Sequence, residues 1–168
     1  MTLRWGHTGI MTAVTMHGGA MFILFLTSDG VVKSGQKISN SYGNLPVTLG
    51  QHDQFGSSLS AIGDMDSDGV TDLMVGATDD DDGYTYAGGV FVLFLTSDGL
   101  VKSTQKISAL YGNFPYTLGS ADVFGSSASA IGDADGDGVP DAVVGAFGDD
   151  DGGTKAGAVY VTFLTSDV

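Results

Sequence analysis

Two stretches of the chain place aspartates at alternate positions, followed by a glycine and by one more aspartate entering an apolar run. Both fit the pattern D-x-D-x-D-G-x-x-D. Ca²⁺ takes about six to eight hard oxygen ligands from flexible carboxylates and carbonyls. Carboxylates so close together repel one another without a cation. We therefore predict two Ca²⁺ ions per chain, with ligands Asp64, Asp66, Asp68, Val70 (carbonyl) and Asp72, and Asp133, Asp135, Asp137, Val139 (carbonyl) and Asp141.

The alternatives to calcium are weaker. Mg²⁺ demands compact octahedral geometry and keeps its waters. An Asx-rich turn without metal is the other reading, although the pattern occurs twice. The loop is not an EF-hand, since the twelfth position, where a bidentate acid is required, is Val75 in one copy and Val144 in the other.

The two loops belong to an internal repeat, whose period is the 69-position separation of Asp64 and Asp133. The same offset, without a gap, aligns TSDG at 27 with TSDG at 96, YGN at 42 with YGN at 111, and FG at 55 with FG at 124. A gapless repeat of this length indicates one supersecondary unit used more than once.

Each unit is predicted to contain four strands, which in the first copy are residues 57–63, 72–77, 89–95 and 100–108. The third strand, GVFVLFL, is apolar on both faces. Its sheet must therefore be covered on both sides, by stacked units resembling propeller blades or by a two-sheet sandwich. Short four-stranded units repeated head to tail favour blades, and the long period excludes a β-roll.

The composition supports an all-β protein and excludes several partners. All 20 acidic residues are Asp, and there are 27 glycines, which suits tight turns rather than helices. A net charge of −14 disfavours nucleic acid and anionic membrane surfaces. No apolar run is as long as a membrane-spanning helix requires, so no membrane insertion is expected. No signal peptide is recognisable at the N-terminus, and cysteine is absent.

Residues 20–26, AMFILFL, match the third strand of the repeat, whereas residues 1–19 hardly match it. With permitted codons for residues 1–16 and one G placed before the ATG, the next reading frame gives DDLAVGAHGDNDGG, which is close to the second strand and acidic turn. We hypothesise that translation starts out of frame within an ancestral unit. The codons of the gene decide this directly.

Phe-Gly, the aspartate loop and Gly-Ala together resemble the FG-GAP repeat of integrin α-subunit β-propellers and their bacterial relatives. The resemblance covers residues 20–168. It implies four-stranded antiparallel blades, with Ca²⁺ held between the first two strands by the residues named above. The proline usual after Gly-Ala is Thr78 in one copy and Phe147 in the other.

The resemblance also implies an incomplete propeller of about 2.5 blades in one module, residues 1–168. Residues 1–38 would form a partial N-terminal blade, 39–108 a full blade, and 109–168 a blade lacking its last strand. Family propellers usually have seven blades, and open faces and strand edges are costly. We therefore expect homo-oligomerisation to complete the ring, with a dimer favoured and a trimer of two blades per chain as the rival.

By resemblance, the function is structural, adhesive or ligand-binding, non-enzymatic, and extracellular or at the cell surface, with a protein or glycan ligand. A lectin-like module using Trp5, Tyr84 or Tyr86 is the alternative, as is a folded gene fragment without a dedicated function. The acidic turns at 79–82 and 149–151 are read as solvated turns more readily than as further cation sites. His7, His17 and His52 are not spaced as a metal set, and Ser57 and Ser58 lack the G-x-S-x-G spacing.

Overall fold

The structure, a computed structural model, describes residues 9–13 and 19–165 of the chain. Within those residues every regular element is a strand, which confirms the predicted all-β class. The described part contains no helix with the length and apolarity needed to cross a membrane. The strands are β1 Gly9–Ala13, β2 Met21–Leu26, β3 Val32–Ile38, β4 Phe55–Gly63, β5 Asp72–Ala77, β6 Gly89–Leu95, β7 Val101–Ser108, β8 Phe124–Gly132, β9 Asp141–Ala146 and β10 Ala158–Thr162.

The strands form three antiparallel sheets, which we call the first, middle and last sheets. The first has the order β1-β2-β3, the middle β4-β5-β6-β7, and the last β10-β9-β8. Strands β5 and β6 coincide with the predicted 72–77 and 89–95, while β4 begins two residues earlier than predicted. The reason for the earlier start is that Phe55 itself pairs with Ala77 on β5.

The divergent N-terminal segment contributes β1, which pairs with β2 from Ala13↔Met21 to Gly9↔Phe25. The expected partial N-terminal blade includes a strand at this position, but its bounds could not be assigned because residues 1–19 lack the pattern of the repeat. Trp5, His7 and His17 lie outside the described residues.

Strand β6 is the centre of the core, because its two faces serve two different hydrophobic clusters. Val90, Val92 and Phe94 pack between the middle and last sheets. Phe91, Leu93 and Leu95 pack between the first and middle sheets. All seven residues of β6 are buried, as expected for a strand that is apolar on both faces.

Within the described residues, the last sheet is covered on one side only. The segment that forms β10 exposes Val159, Val161 and Phe163, with exposed fractions of 73%, 48% and 59%. These residues stand 69 positions after Val90, Val92 and Phe94, which are buried in the middle sheet. The same apolar face is therefore internal in one sheet and open in the next.

Successive sheets meet at a glycine placed against the phenylalanine that opens the following sheet. Gly88 (φ 85°) forms an isolated bridge with Phe124, and a Cβ at Gly88 would lie 2.2 Å from the Phe124 carbonyl oxygen. Gly19 (φ 81°) meets Phe55 in the same way, at 2.4 Å. We call this backbone contact the joint, and no larger residue fits it.

The Gly-Ala of one sheet lies against the Phe-Gly of the next. A Cβ at Gly76 would lie 2.2 Å from the Gly125 carbonyl oxygen, and the Ser58 hydroxyl donates a 2.7 Å hydrogen bond to that same oxygen. Ser58 thus has a packing role between sheets. Small residues in the repeat allow the backbones of β5 and β8 to approach closely.

Candidate metal centres

The first aspartate loop connects β4 to β5 and is folded by its own leading carboxylate. Asp64 accepts the backbone N–H groups of Asp68 through Oδ1 (2.9 Å) and of Gly69 through Oδ2 (2.8 Å). Gly69 has a φ of 87°, which glycine adopts readily. These bonds curl the loop so that its aspartates face one another.

The second aspartate loop, between β8 and β9, repeats this fold. Asp133 accepts the N–H of Gly136 through Oδ1 (2.7 Å) and that of Gly138 through Oδ2 (3.0 Å). The bond to the glycine five residues ahead is the same in both loops, whereas Oδ1 of the leading aspartate bonds four residues ahead in the first loop and three ahead in the second.

Each loop is anchored by a fully buried aspartate at the start of the following strand. Asp72 accepts the N–H groups of Met65 (2.9 Å) and Leu95 (3.0 Å). Asp141 makes the equivalent bonds with Ala134 (2.8 Å) and Leu164 (2.9 Å). A buried carboxylate needs such donors, and here they tie the loop to the neighbouring strand.

The first, second and last aspartates of each loop converge. One carboxylate oxygen from each member lies within 4.8 Å of the others in the triad Asp64, Asp66 and Asp72, and likewise in Asp133, Asp135 and Asp141. Oxygens that share a Ca²⁺ at 2.3–2.6 Å are separated by at most about 5 Å. The donor chemistry and the spacing of both triads thus fit a calcium ion.

The remaining predicted ligands lie beside the triads. Asp68 and Asp137 each use Oδ1 to accept the N–H of the valine two residues on, both at 2.8 Å. Neither belongs to its triad. A ligand role for Asp68 and Asp137, and for the carbonyls of Val70 and Val139, stays a prediction.

A lysine that sequence reasoning missed lies against the first loop. Lys102 Nζ is 2.6 Å from Asp66 Oδ2 and also contacts Asp68 Oδ2. Partial burial disfavours the charged lysine, but its bonds to the two carboxylates outweigh this and raise its pKa. The bond from Lys102, with that from Val70 N–H, lowers the pKa of Asp68.

The pKa of the anchoring aspartate of the same loop is raised, whereas that of Asp68 is lowered. Burial raises the pKa of Asp72 to about 6, against the hydrogen bonds from Leu95 and Met65, and the negative charge of Asp66 adds to the rise. A cation at the triad would favour the ionised carboxylate.

The position of Lys102 follows from an irregularity in the sheet. On β6, Phe94 and Leu95 are adjacent, but their partners on β7 are Ser103 and Val101, so Lys102 is the extra residue of a β-bulge. A bulge redirects the side chain of the extra residue. The first sheet has the same bulge, in which Lys33 is the extra residue between Val32 and Ser34.

The second loop has no such partner in the part of the chain that the structure describes. Among residues 19–165, no Lys or Arg lies within ion-pair distance of Asp133, Asp135 or Asp137. In the described residues the last sheet has three strands, so nothing there corresponds to β7.

The acidic turns at the opposite end of the sheets also differ. Lys106 contacts Asp80 Oδ2 (2.5 Å) and Asp82 Oδ2, and its ammonium lies 5.2 Å from the ring centroid of Phe91. In the last sheet, residue 160, the equivalent of Phe91, is a tyrosine whose hydroxyl donates a 2.6 Å bond to Asp149 Oδ2. The expectation of solvated turns is therefore wrong at Asp80 and Asp149, whose exposed fractions are 2% and 3%.

Sequence reasoning missed one further pair of aspartates that the repeat relates. Asp53 and Asp122 are separated by the repeat period, and each accepts the N–H of the glycine three residues before it at 2.6 Å. Burial raises the pKa of both, and neighbouring aspartates add to the rise. The offset alone was the signal that could have found them.

The candidate sugar-stacking tyrosines lie on the acidic turn of the middle sheet. Tyr84 and Tyr86 are 49% and 46% exposed. Tyr86 has a φ of 55°, and its N–H donates a 2.8 Å bond to Asp81 Oδ1.

Comparison with known proteins gives a consistent assignment. The family model described as FG-GAP repeat matches residues 55–93, which run from β4 through most of β6. "Integrin alpha pat-2" of Caenorhabditis briggsae is 40% identical over 98 residues, 58% of this chain and 8% of that protein. "Integrin alpha-5" of Xenopus laevis is 35% identical over 101 residues, 60% of this chain and 9% of that protein.

The chain also matches a protein that is not named as an integrin. Human "Phosphatidylinositol-glycan-specific phospholipase D" is 35% identical over 111 residues, which are 63% of this chain and 12% of that protein. The chain thus spans about a tenth of the length of these curated relatives. The predicted resemblance is confirmed, and residues 55–93, with their aspartate loop, are an FG-GAP repeat of the integrin α-like kind.

Proposed function

We propose that this chain is a calcium-binding, integrin-like β-propeller module that binds two Ca²⁺ ions, one in each aspartate loop. The observation that carries this proposal is the convergence of three carboxylates in each of two equivalent loops. The first and second members of each triad are exposed and the last is buried. A hard cation could therefore enter each site from solvent and be held against the buried aspartate that anchors the loop.

The physical role of the ion is to stabilise the repeat. Each loop gathers carboxylates in a protein of net charge −14, so the folded state carries repulsion that a divalent cation removes. A ligand that binds only the native state stabilises it by about 2.7 kcal/mol at one hundred times its dissociation constant.

Native mass spectrometry with calcium and after chelation tests the proposal. We expect two Ca²⁺ per wild-type chain, one in Asp66→Asn or Asp135→Asn, and none in the double variant. Asp98→Asn, in an exposed hairpin turn where Thr96 bonds to Asp98, removes the same charge and should keep both ions. A wild-type chain that carries no calcium overturns the assignment.

We further propose an adhesive or ligand-binding, non-catalytic role at the cell surface. The support is the similarity to proteins named as integrin α chains. Attachment of cells to immobilised protein, abolished by chelation and by the Asp66→Asn/Asp135→Asn double variant, is the expected result. Because one relative is named as a phospholipase D, release of a phosphatidylinositol-glycan-anchored protein by the chain would overturn the non-catalytic proposal.

A glycan-binding module is the second candidate, favoured by the two half-exposed tyrosines on one turn. Exposed aromatic faces suit carbohydrate recognition because they offer apolar surface beside polar groups. Glycan-array binding that Tyr84→Ala and Tyr86→Ala each remove would favour it over a protein ligand. Tyr42→Ala, at a tyrosine that is 60% exposed outside that turn, is the control.

We also propose that identical chains assemble into a closed ring, with a dimer favoured over a trimer. The support is the open face of β10, which repeats the face that β6 buries against the last sheet. Burying apolar area contributes about 25 cal/mol per Å². Light scattering should show an oligomer for the wild type and a folded monomer for Val161→Asp. A wild-type monomer at all concentrations would contradict the assembly.

A further inference from the structure

We propose that Lys102 is a built-in competitor of the metal at the first aspartate loop, so that the two loops of one chain bind calcium with different affinities. This inference rests on the proposed calcium binding. The observation behind it is the ion pair of Lys102 with Asp66, a member of the first triad, and with Asp68 beside it.

The position of Lys102 is set by the backbone and does not depend only on the length and flexibility of its side chain. It is the extra residue of the bulge between β6 and β7, and its side chain is 27% exposed. The bulge fixes where the side chain leaves the strand, so the ammonium is held near the loop at high effective concentration.

The Lys102 ammonium and a metal ion compete for the same carboxylate, because two positive charges repel each other there. A Ca²⁺ bound by Asp66 would lie within a few ångströms of an ammonium on the same carboxylate, and like charges at about 4 Å repel even at intermediate dielectric. Metal entry therefore requires Lys102 to leave Asp66. Exposed pairs are worth ~0.2–1 kcal/mol each, so two pairs weaken metal binding by up to about thirtyfold.

The second loop provides an internal reference. Its triad has the same residues and the same anchor bonds, and no lysine or arginine within the described residues contacts it. Any difference between the loops that disappears when Lys102 is removed is due to that side chain.

The test is a calcium titration followed by amide NMR at Gly69 and Gly138, whose N–H groups bond to the leading aspartates and so report each loop separately. In Lys102→Met we expect the calcium midpoint at Gly69 to fall about tenfold, with the midpoint at Gly138 unchanged. Lys102→Arg keeps the charge and should stay near the wild-type midpoint.

Lys33→Met is the matched control, because Lys33 occupies the same bulge in the first sheet and its loss changes net charge equally. It should leave the Gly69 midpoint in place. An unchanged Gly69 midpoint in Lys102→Met overturns this inference alone, as does an equal shift in Lys33→Met. Calcium that moves neither glycine overturns the proposed function with it.

Discussion

The middle and last sheets carry the same motif in different surroundings. Both have a curled aspartate loop, a buried anchoring aspartate and an acidic turn. In the middle sheet, β7 adds Lys102 at the loop and Lys106 at the turn, at opposite ends of one strand. In the last sheet the described residues provide no equivalent of either lysine, and the Tyr160 hydroxyl bonds to Asp149 in the turn.

This difference shows that the loop pattern specifies geometry, whereas the neighbouring strand specifies charge. The anchor bonds are 2.9 and 3.0 Å at Asp72 and 2.8 and 2.9 Å at Asp141, yet one loop is paired with an ammonium and the other is not. Identical motifs in one chain are therefore not equivalent sites.

The largest expected contrast is the stability cost of removing a phenylalanine that is buried in one sheet and exposed in the other. Phe94 is 3% exposed and Phe163, its equivalent, is 59% exposed. Phe94→Ala should cost about 3–5 kcal/mol of unfolding free energy through the cavity it leaves. Phe163→Ala should cost less than about 1 kcal/mol in the dissociated chain.

Urea unfolding at low protein concentration measures both variants. If Phe163→Ala costs as much as Phe94→Ala under those conditions, the face of β10 is covered within the chain and the contrast between the sheets fails. A cost that appears only at high concentration would instead support the proposed assembly.

Removing the anchoring aspartate should cost about the same unfolding free energy in the middle and last sheets. Asp72→Ala and Asp141→Ala each leave two backbone N–H groups without their carboxylate, so each should cost about 2–4 kcal/mol in metal-free protein. Chemical denaturation in the presence of a chelator checks this. Costs that differ by more than about 1 kcal/mol would show that the anchors are less alike than their hydrogen bonds.

Substitutions at the two acidic turns should differ moderately in their cost to stability. Lys106→Met removes the ammonium from Asp80, whose side chain is only 3% exposed, and should cost about 2 kcal/mol because that carboxylate loses its partner. Tyr160→Phe removes a single hydrogen bond to Asp149 and should cost about 1 kcal/mol. Thermal unfolding of the two variants gives the order, and the reverse order would contradict the role given to β7.

The smallest effect is a pH dependence. Burial raises the pKa of Asp122 in the folded chain, so between the unfolded and folded pKa values the native state binds more protons, and stability falls as pH rises. Asp122→Asn should remove this loss and gain stability relative to wild type above pH 4. Asp53→Asn should also gain stability in this range, because burial raises the pKa of Asp53 in the same direction.

Melting temperatures of metal-free protein between pH 4 and 7 test both gains. The gain in Asp122→Asn should grow with pH. A gain that is constant with pH would indicate an effect on the unfolded chain rather than on this carboxyl group.

The strands and loops could be predicted because their signals are local. The run GVFVLFL specifies β6 with two buried faces, and the aspartate spacing specifies a loop whose carboxylates converge. The ion pairs could not be predicted, because Lys102 reaches residues 36 and 34 positions earlier, and its direction depends on a bulge that no residue pattern announces. The bounds of β1 could not be predicted because its segment departs from the repeat.

The joint between sheets has an evolutionary consequence. Gly19 and Gly88 meet Phe55 and Phe124 through backbone, so each copy of the unit brings both halves of its own connection. A gene duplication that copies one whole repeat period therefore adds a working module without any compensating change elsewhere. At Gly157, the third glycine of this series, the nearest described atom to an added Cβ would be 3.5 Å away. A change of copy number by whole repeats is therefore compatible with the geometry of the joint.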